Sequence, residues 1–307
     1  MINVMTVHWQ SAKWIDVQAQ YLRRNIATPY RVFASLNGID DSALRERFHF
    51  SADLQGTHEE KLNEMAQIAI EESAPSDVLM FLDGDAFPVA PLGEWIPEVL
   101  DAYPLVAVRR DENLGDPQPH PCFCITTAGF WQELGGDWRR GGRWVNTAGQ
   151  ECQDVGGRLL HQLEQKDIEW LPLLRSNNHS WHPVFFGVYD HRVYHHGAGF
   201  RVMDNRAENA LDAYRPRSDR PSLGMLRVAV EKNPRKLLQL RPRQLLVAID
   251  AVRMIIPQQI RKLKRKRMLR FEQRLLARMK TDPEFYRDLD SSKQPRQRHV
   301  AGATPSK

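Results

Sequence analysis

Three cysteines in 307 residues are too few for a disulfide framework. Cys122, Cys124 and Cys152 form no second pair at zinc-finger spacing, so they read as ordinary buried or semi-buried thiols of a reducing compartment. Long apolar runs are also missing. No stretch approaches the ~20 uninterrupted apolar residues of a membrane-spanning helix. The short run Met1–Val7 breaks at His8, with no basic region before it and no small-residue cleavage site after it. An uncleaved cytosolic start is expected. Glycine is absent from His8-Trp9-Gln10-Ser11-Ala12, where a phosphate-cradling loop after a first strand would need it.

What is present is a globular composition with a divided charge. Apolar residues make up 42% and charged residues 26% of the chain, enough for a sizeable core. From Met1 to Tyr214 there are 18 Lys/Arg against 30 Asp/Glu, and from Arg215 to Lys307 there are 25 against 8. Opposite charge implies different tasks. The expected organisation is a domain over 1–214, a basic helical extension over 215–290 and a disordered polar tail over 291–307.

The first part alternates strands and helices. Ile2–Val7 is a β-branched first strand, and Ser11 is placed to cap a helix running to about Asn25, with Trp14, Val17 and Tyr21 on one stripe. Tyr30–Leu36 is a second strand, ended by Asn37-Gly38. A helix over Thr57–Ser73 buries Leu62, Met65, Ala66, Ala69 and Ile70. Val78–Leu82 is the clearest buried strand, followed by a helix over Pro91–Tyr103 and a strand over Leu105–Val108. Such alternation predicts an α/β fold with a mostly parallel sheet covered on both faces, and ligands at the carboxyl ends of its strands. Pro119–Thr127 is extended, Ala128–Leu134 a helix, Gly135–Gly149 a mobile loop, Val155–Gln165 a helix and Ile168–Leu171 a strand. Ile256, Ile260, Leu263, Leu275 and Met279 fit a helical stripe in the basic region.

The chemistry concentrates at Asp83-Gly84-Asp85, directly after the buried strand. Two adjacent anions repel, and burying either without compensation costs several kcal/mol. A hard divalent cation, Mg²⁺ or Mn²⁺, resolves the conflict. Gly84 permits a sharp turn and close approach of a ligand. An acidic turn at a strand end is the plainer alternative.

Val78–Pro88, VLMFLDGDAFP, resembles the D-x-D strand of GT-A glycosyltransferases. Thr127–Asp137, with its Leu-Gly-Gly turn, followed by Asp154, is similar to the acceptor region of family 2-type bacterial enzymes. The resemblance spans about Ile2–Arg201 and departs at Gln153, where the first member of an acidic pair is missing. It implies a GT-A, Rossmann-like fold and a metal held by Asp83 and Asp85, with a nucleotide-sugar donor, UDP-linked by default. Asp154 is implied as the general base of an inverting transfer, with helix capping as its alternative. A late histidine is implied as a further metal ligand: His196 first, His195 in reserve, with Arg201 clamping phosphate; a pair of ordinary surface or core histidines is the alternative. The end of the first strand, where the donor base sits in such proteins, marks His8 and Trp9 as donor contacts, or Trp9 as a cover for the sheet. His58 and Lys61, on one face of the next long helix, are donor contacts too, with plain helix exposure the alternative for Lys61. Arg109 and Asn113 fall in a polar cluster suited to sugar hydroxyls, or in a solvated loop. Trp131, Trp138 and Trp144 surround the acceptor segment, with Trp131 a core candidate and the other two candidates for a closing lid.

The run Arg261–Arg267 lacks the aromatic interleaving of nucleic-acid readers, which argues against that partner. An anionic membrane surface, reached by a peripheral enzyme on the inner face, or an oligomer contact remain open for 215–290. Three functions follow: transfer of a sugar to a glycan or lipid-linked acceptor, a sugar-nucleotide nucleotidyltransferase, or a non-catalytic carbohydrate- or membrane-binding module.

Overall fold

The computed structural model describes residues 1–177, 187–197, 270 and 273–288. The chain divides into two compact units, Met1–Phe200 with Met279–Lys307, and Arg201–Arg278. The basic run at 261–267, the tail from 291 and Arg201 lie outside the described residues, as do Ile256, Ile260 and Leu263. Among the described residues, no helix is long and apolar enough to cross a membrane.

In the first unit the chain runs β1 (Ile2–Trp9), α1 (Ile15–Asn25), β2 (Tyr30–Asn37), α2 (Ser42–Arg45), β3 (Phe50–Ala52), α3 (His58–Glu71), β4 (Val78–Asp83) and β5 (Ala86–Pro88). It continues through α4 (Trp95–Ala102), β6 (Leu105–Val108), β7 (His120–Thr127), α5 (Ala128–Leu134), β8 (Trp144–Val145), β9 (Glu151–Cys152), α6 (Gly157–Gln165), β10 (Leu171–Leu173), β11 (Gly187–Tyr189) and β12 (Val193–His195). A 3-10 turn, Phe285–Asp288, follows much later.

Seven strands form one sheet in the order β10-β6-β7-β4-β1-β2-β3. All neighbours are parallel except β7, which is antiparallel to both β4 and β6. The expected mostly parallel α/β sheet is therefore present, with one reversed strand that the extended reading of Pro119–Thr127 left undirected. Because both faces are covered, strand parity sorts the core. Met5, Phe33, Leu79, Phe81 and Leu105 pack under α3, α5 and α6. Val4, Met80, Leu82 and Val106 pack on the other face with Leu22 of α1 and Ile96 of α4.

Element ends follow local chemistry. A capping box closes the start of α3: the Thr57 hydroxyl accepts from Glu60 N, and Glu60 accepts from Thr57 N. α5 is capped by Thr127 and stopped by Gly135 at φ 68°. Ser11 does not cap α1, which starts at Ile15 after a turn at Trp14. The strand expected at Ile168–Leu171 lies slightly later, at Leu171–Leu173, because Asp167 at φ 50° first turns the chain out of α6.

The segment after α5 is anchored rather than loose. Trp138 is fully buried, its ring 5.0 Å from Phe81 and 5.6 Å from Trp131. Asp137 accepts from Asn63 of α3 and pairs with Arg139 and Arg158. Trp138→Ala is expected to cost about 3–5 kcal/mol. A urea titration should show a lower midpoint at an unchanged slope.

Candidate metal and donor site

β4 carries Asp83 at its last position, on the face that α3 covers. Asp85 follows after a buried Gly84, whose φ is not in the left-handed region, so the turn does not depend on glycine's freedom there. The chain then reverses into β5, which pairs antiparallel with β12 so that Ala86 stands opposite His195. This pairing delivers His195 to both carboxylates: its Nε2 is 3.4 Å from Asp83 Oδ2 and 3.6 Å from Asp85 Oδ1. One donor atom from each of Asp83, Asp85 and His195 lies within 4.8 Å of the other two. Among the described residues no other group of three or more His, Cys, Asp or Glu is so arranged. Two hard oxygens and an imidazole suit Mn²⁺ or Mg²⁺ with positions left for other ligands. His58, the first residue of α3, reaches the same centre, with Nε2 3.0 Å from Asp83 Oδ1.

Without a cation the histidines balance the acids. Burial works against ionised Asp83, yet His58 and His195 outweigh it and hold the carboxyl well below its usual range. Asp85 is lowered in the same way, mainly by His195 against burial and the charge of Asp83. For His195, burial opposes protonation, but Cys122, Asp83 and Asp85 raise it well above 6.5. His58 is also raised, Asp83 overcoming burial.

The histidine chosen first from the sequence faces elsewhere. Successive residues of a strand point to opposite sides, so His196 and Tyr194 turn away from the cluster. The His196 ring packs 4.6 Å from Trp14, and its Nδ1 is 2.9 Å from the Tyr194 hydroxyl. It remains close enough to Asp85 to lower that carboxyl. The reserve choice, His195, is the one that joins the acids.

Parity also separates His8 from Trp9. His8 lies on the α1 face, fully buried, and burial lowers its pKa to about 4. It is a neutral packing group behind the site. Trp9 is 46% exposed on the α3 face, with Lys61 Nζ 4.6 Å from its ring centroid. Lys61 donates to Asn37 Oδ1 at 2.7 Å. Trp9, Lys61 and Asn37 thus form a small platform at the carboxyl ends of β1 and β2.

The acceptor-side residues divide. Trp131 and Trp138 are core, so neither faces a substrate, and Trp138 is no lid. Arg109 is taken up by Asp111 at 2.7 Å. Asn113 bonds Asp116. Asp154 lies just before α6, whose cap is Gly156, and bonds the next backbone N–H, Val155 N, at 2.9 Å. Its side chain is 39% exposed and lies 3.4 Å from Arg110, which also reaches Asp116 at 3.5 Å. Arg110 in turn adds to burial in holding His120 well below 6.5. His120 accepts from Cys122 N, and its ring is 5.8 Å from His195. Arg110 and His120 therefore link the Asp154 region to the Asp83, Asp85 and His195 group.

Gln18 was not anticipated. From α1 its amide donates to Asp83 O and Ala86 O, both at 2.9 Å, gripping the acidic turn at each end. The signal was a polar residue on the buried stripe Trp14, Gln18, Tyr21, Leu22. His120 and Asp116 were equally readable as polar groups beside an apolar strand.

No protein-family model and no curated protein matches the sequence. Among solved structures, the mannosyltransferase PcManGT from Pyrobaculum calidifontis, in complex with GDP-Man and Mn²⁺, is similar over 58% of this chain and 57% of its own, at 11% identity and a TM-score of 0.39. The galactosyltransferase LgtC, in complex with donor and acceptor sugar analogs, is similar over 54% of this chain and 66% of its own, at 14% identity and a TM-score of 0.31. A proposed glucose-1-phosphate thymidylyltransferase from Bacillus anthracis, in complex with a sucrose, is similar over 71% and 98%, at 10% identity and a TM-score of 0.35. The chain thus spans 57% and 66% of the first two, and what its site can do rests on its own side chains.

Two outcomes are expected. Gln18→Leu removes both donors to the acidic turn and should weaken Mn²⁺ binding about tenfold, as loss of outer-shell partners does, measured by Mn²⁺ electron paramagnetic resonance. The second concerns pH. His195 is raised, so its contribution to metal-free stability is present below 6.5 and is lost as pH rises through its folded value. Asp83 is lowered, so its contribution is present above 3.8 and is lost as pH falls through its folded value. Urea unfolding of the metal-free chain should therefore show this pair contributing most between 3.8 and 6.5. Mn²⁺ affinity should instead rise with pH, by up to about tenfold per unit while one histidine proton is displaced.

Proposed function

We propose that this chain is a metal-dependent glycosyltransferase that moves a sugar from a nucleoside-diphosphate donor, UDP-linked by preference, to a hydroxyl acceptor. The observation that carries the reading is the convergence of Asp83, Asp85 and His195 at the carboxyl edge of a mostly parallel sheet. Such edges are where α/β folds bind ligands. Bound Mn²⁺ or Mg²⁺ supplies charge to a departing diphosphate. The chain's own residues do the rest. Trp9 offers an exposed aromatic face to a donor base, and Lys61 holds that ring from the α3 side. His58 is an N–H donor within reach of the same carboxylate that would face the diphosphate. Arg201, with its phosphate-clamping role, belongs to the proposal but lies outside the described residues.

On the acceptor side, Asp154 is the proposed base for the proton of an attacking hydroxyl. Its carboxylate is partly open to solvent and oriented by Val155 N and Arg110. Attack from that side, opposite the leaving diphosphate, inverts the anomeric centre, through a transition state of oxocarbenium character. Asn113 stays an acceptor contact through the Asp116 network, whereas Arg109 is occupied by Asp111. Glycan or envelope polysaccharide synthesis is the setting proposed. A nucleotidyltransferase is disfavoured by the glycine-free segment after β1.

The test is a nucleotide-sugar panel with and without Mn²⁺. One donor should bind and be consumed only with the metal, and Asp85→Ala should abolish turnover. Donor consumption that survives this substitution would sink the assignment. Binding without consumption would favour a non-catalytic module. For the basic region, whose peripheral membrane role at 215–290 is also proposed, the lysines and arginines of 261–267 can be replaced by glutamine in the full chain. Flotation with anionic liposomes should then be lost, and equal flotation would count for the oligomer or structural role.

A further inference from the structure

The metal-bearing hairpin is held from behind by residues far away in sequence. β5 and β12 present Ala86 and His195 toward the acids, and the same pairing puts Phe87 opposite Tyr194 on the reverse side. Those two rings lie 5.1 Å apart. Tyr21 of α1 stacks on Phe87 at 4.5 Å, and Phe285 closes the circuit, 5.1 Å from Tyr194 and 5.9 Å from Tyr21. Phe285 is fully buried. The return segment is tied down by polar contacts as well. The Tyr21 hydroxyl meets Met279 O at 3.0 Å and Asp282 O at 3.4 Å, and Arg24 pairs with Glu284 at 3.3 Å.

We infer that Met279–Asp288, through Phe285, positions the metal site by fixing the β5–β12 hairpin that sets His195 against Asp83 and Asp85. Phe285 is not one of the clustered ligands, so it acts on them through the rings of Tyr21, Phe87 and Tyr194. Packed rings leave few alternative arrangements, and removal of one wall lets Tyr194 tilt. Its strand neighbour His195 moves with it. The domain that binds metal is therefore discontinuous, and a fragment ending before Met279 would carry every ligand yet hold them poorly. This inference rests on the reading of Asp83, Asp85 and His195 as a metal site.

The experiment measures Mn²⁺ affinity in the full chain by electron paramagnetic resonance, with folding followed by circular dichroism. Phe285→Ala should weaken Mn²⁺ about tenfold or more, the scale of an outer-shell loss. Phe285→Leu should recover part of that loss. Tyr21→Phe, which removes only the hydroxyl tether and keeps the ring, should weaken binding in the same direction and by less. Phe33→Ala, a buried ring on β2 outside the circuit, is the control: it should lower the melting temperature and leave affinity unchanged. If the wild type binds no Mn²⁺, both the metal reading and this inference fall. If the wild type binds and the folded Phe285 and Tyr21 variants bind equally well, only the inference falls. It also falls if Phe33→Ala weakens binding as much as Phe285→Ala, since affinity would then follow general stability.

Discussion

Two carboxylates at the end of a buried strand repel each other, and the local architecture answers that repulsion. β4 delivers Asp83 to a half-buried position at its end, and the turn brings the buried Asp85 beside it. His195 and His58 supply the compensating charge from two separate elements, a strand that returns late and a helix capped at its start. Either histidine alone would leave negative charge uncompensated at low dielectric. A divalent cation would replace that arrangement with one of higher charge, releasing protons as it entered. The charge of the two acids can thus be balanced by the chain's own histidines or by a cation.

The alternation of side chains along β1 and β12 decides what belongs to the site. His8 and Trp9 are adjacent in sequence, yet one is sealed behind the sheet with Gln18 and the other stands open beside Lys61. His195 and His196 divide in the same way, one toward the acids and one toward Trp14 and Tyr194. Gln18 joins the two sides, since it stands on the buried stripe of α1 and its amide grips the acidic turn. Positions behind the sheet thus contribute rigidity to positions in front of it.

Much of this was legible in the sequence, and the failures have physical causes. The apolar run Val78–Leu82 ending in Asp83 announced both the strand and the charge problem. Hydrophobic spacing placed α3, β6 and α5 closely, because those elements are buried on the faces their patterns imply. The choice between His195 and His196 could not be read, since it depends on the register of β12 against β5. Trp138 was misread because an aromatic among arginines and glycines resembles a surface loop. Only the Phe81 and Trp131 rings beside it reveal a core position. The role of Phe285 had no local signature at all, because its partners come from α1, β5 and β12.

That distant partner carries a consequence for how the molecule is made. Translation at about 5–20 residues per second means Phe285 leaves the ribosome seconds after His195, the last of the three clustered ligands. Until then the emerging chain exposes a hairpin lacking one wall of its aromatic packing. On the inference drawn above, the order of synthesis leaves the Asp83, Asp85 and His195 cluster without this packing until Phe285 has emerged.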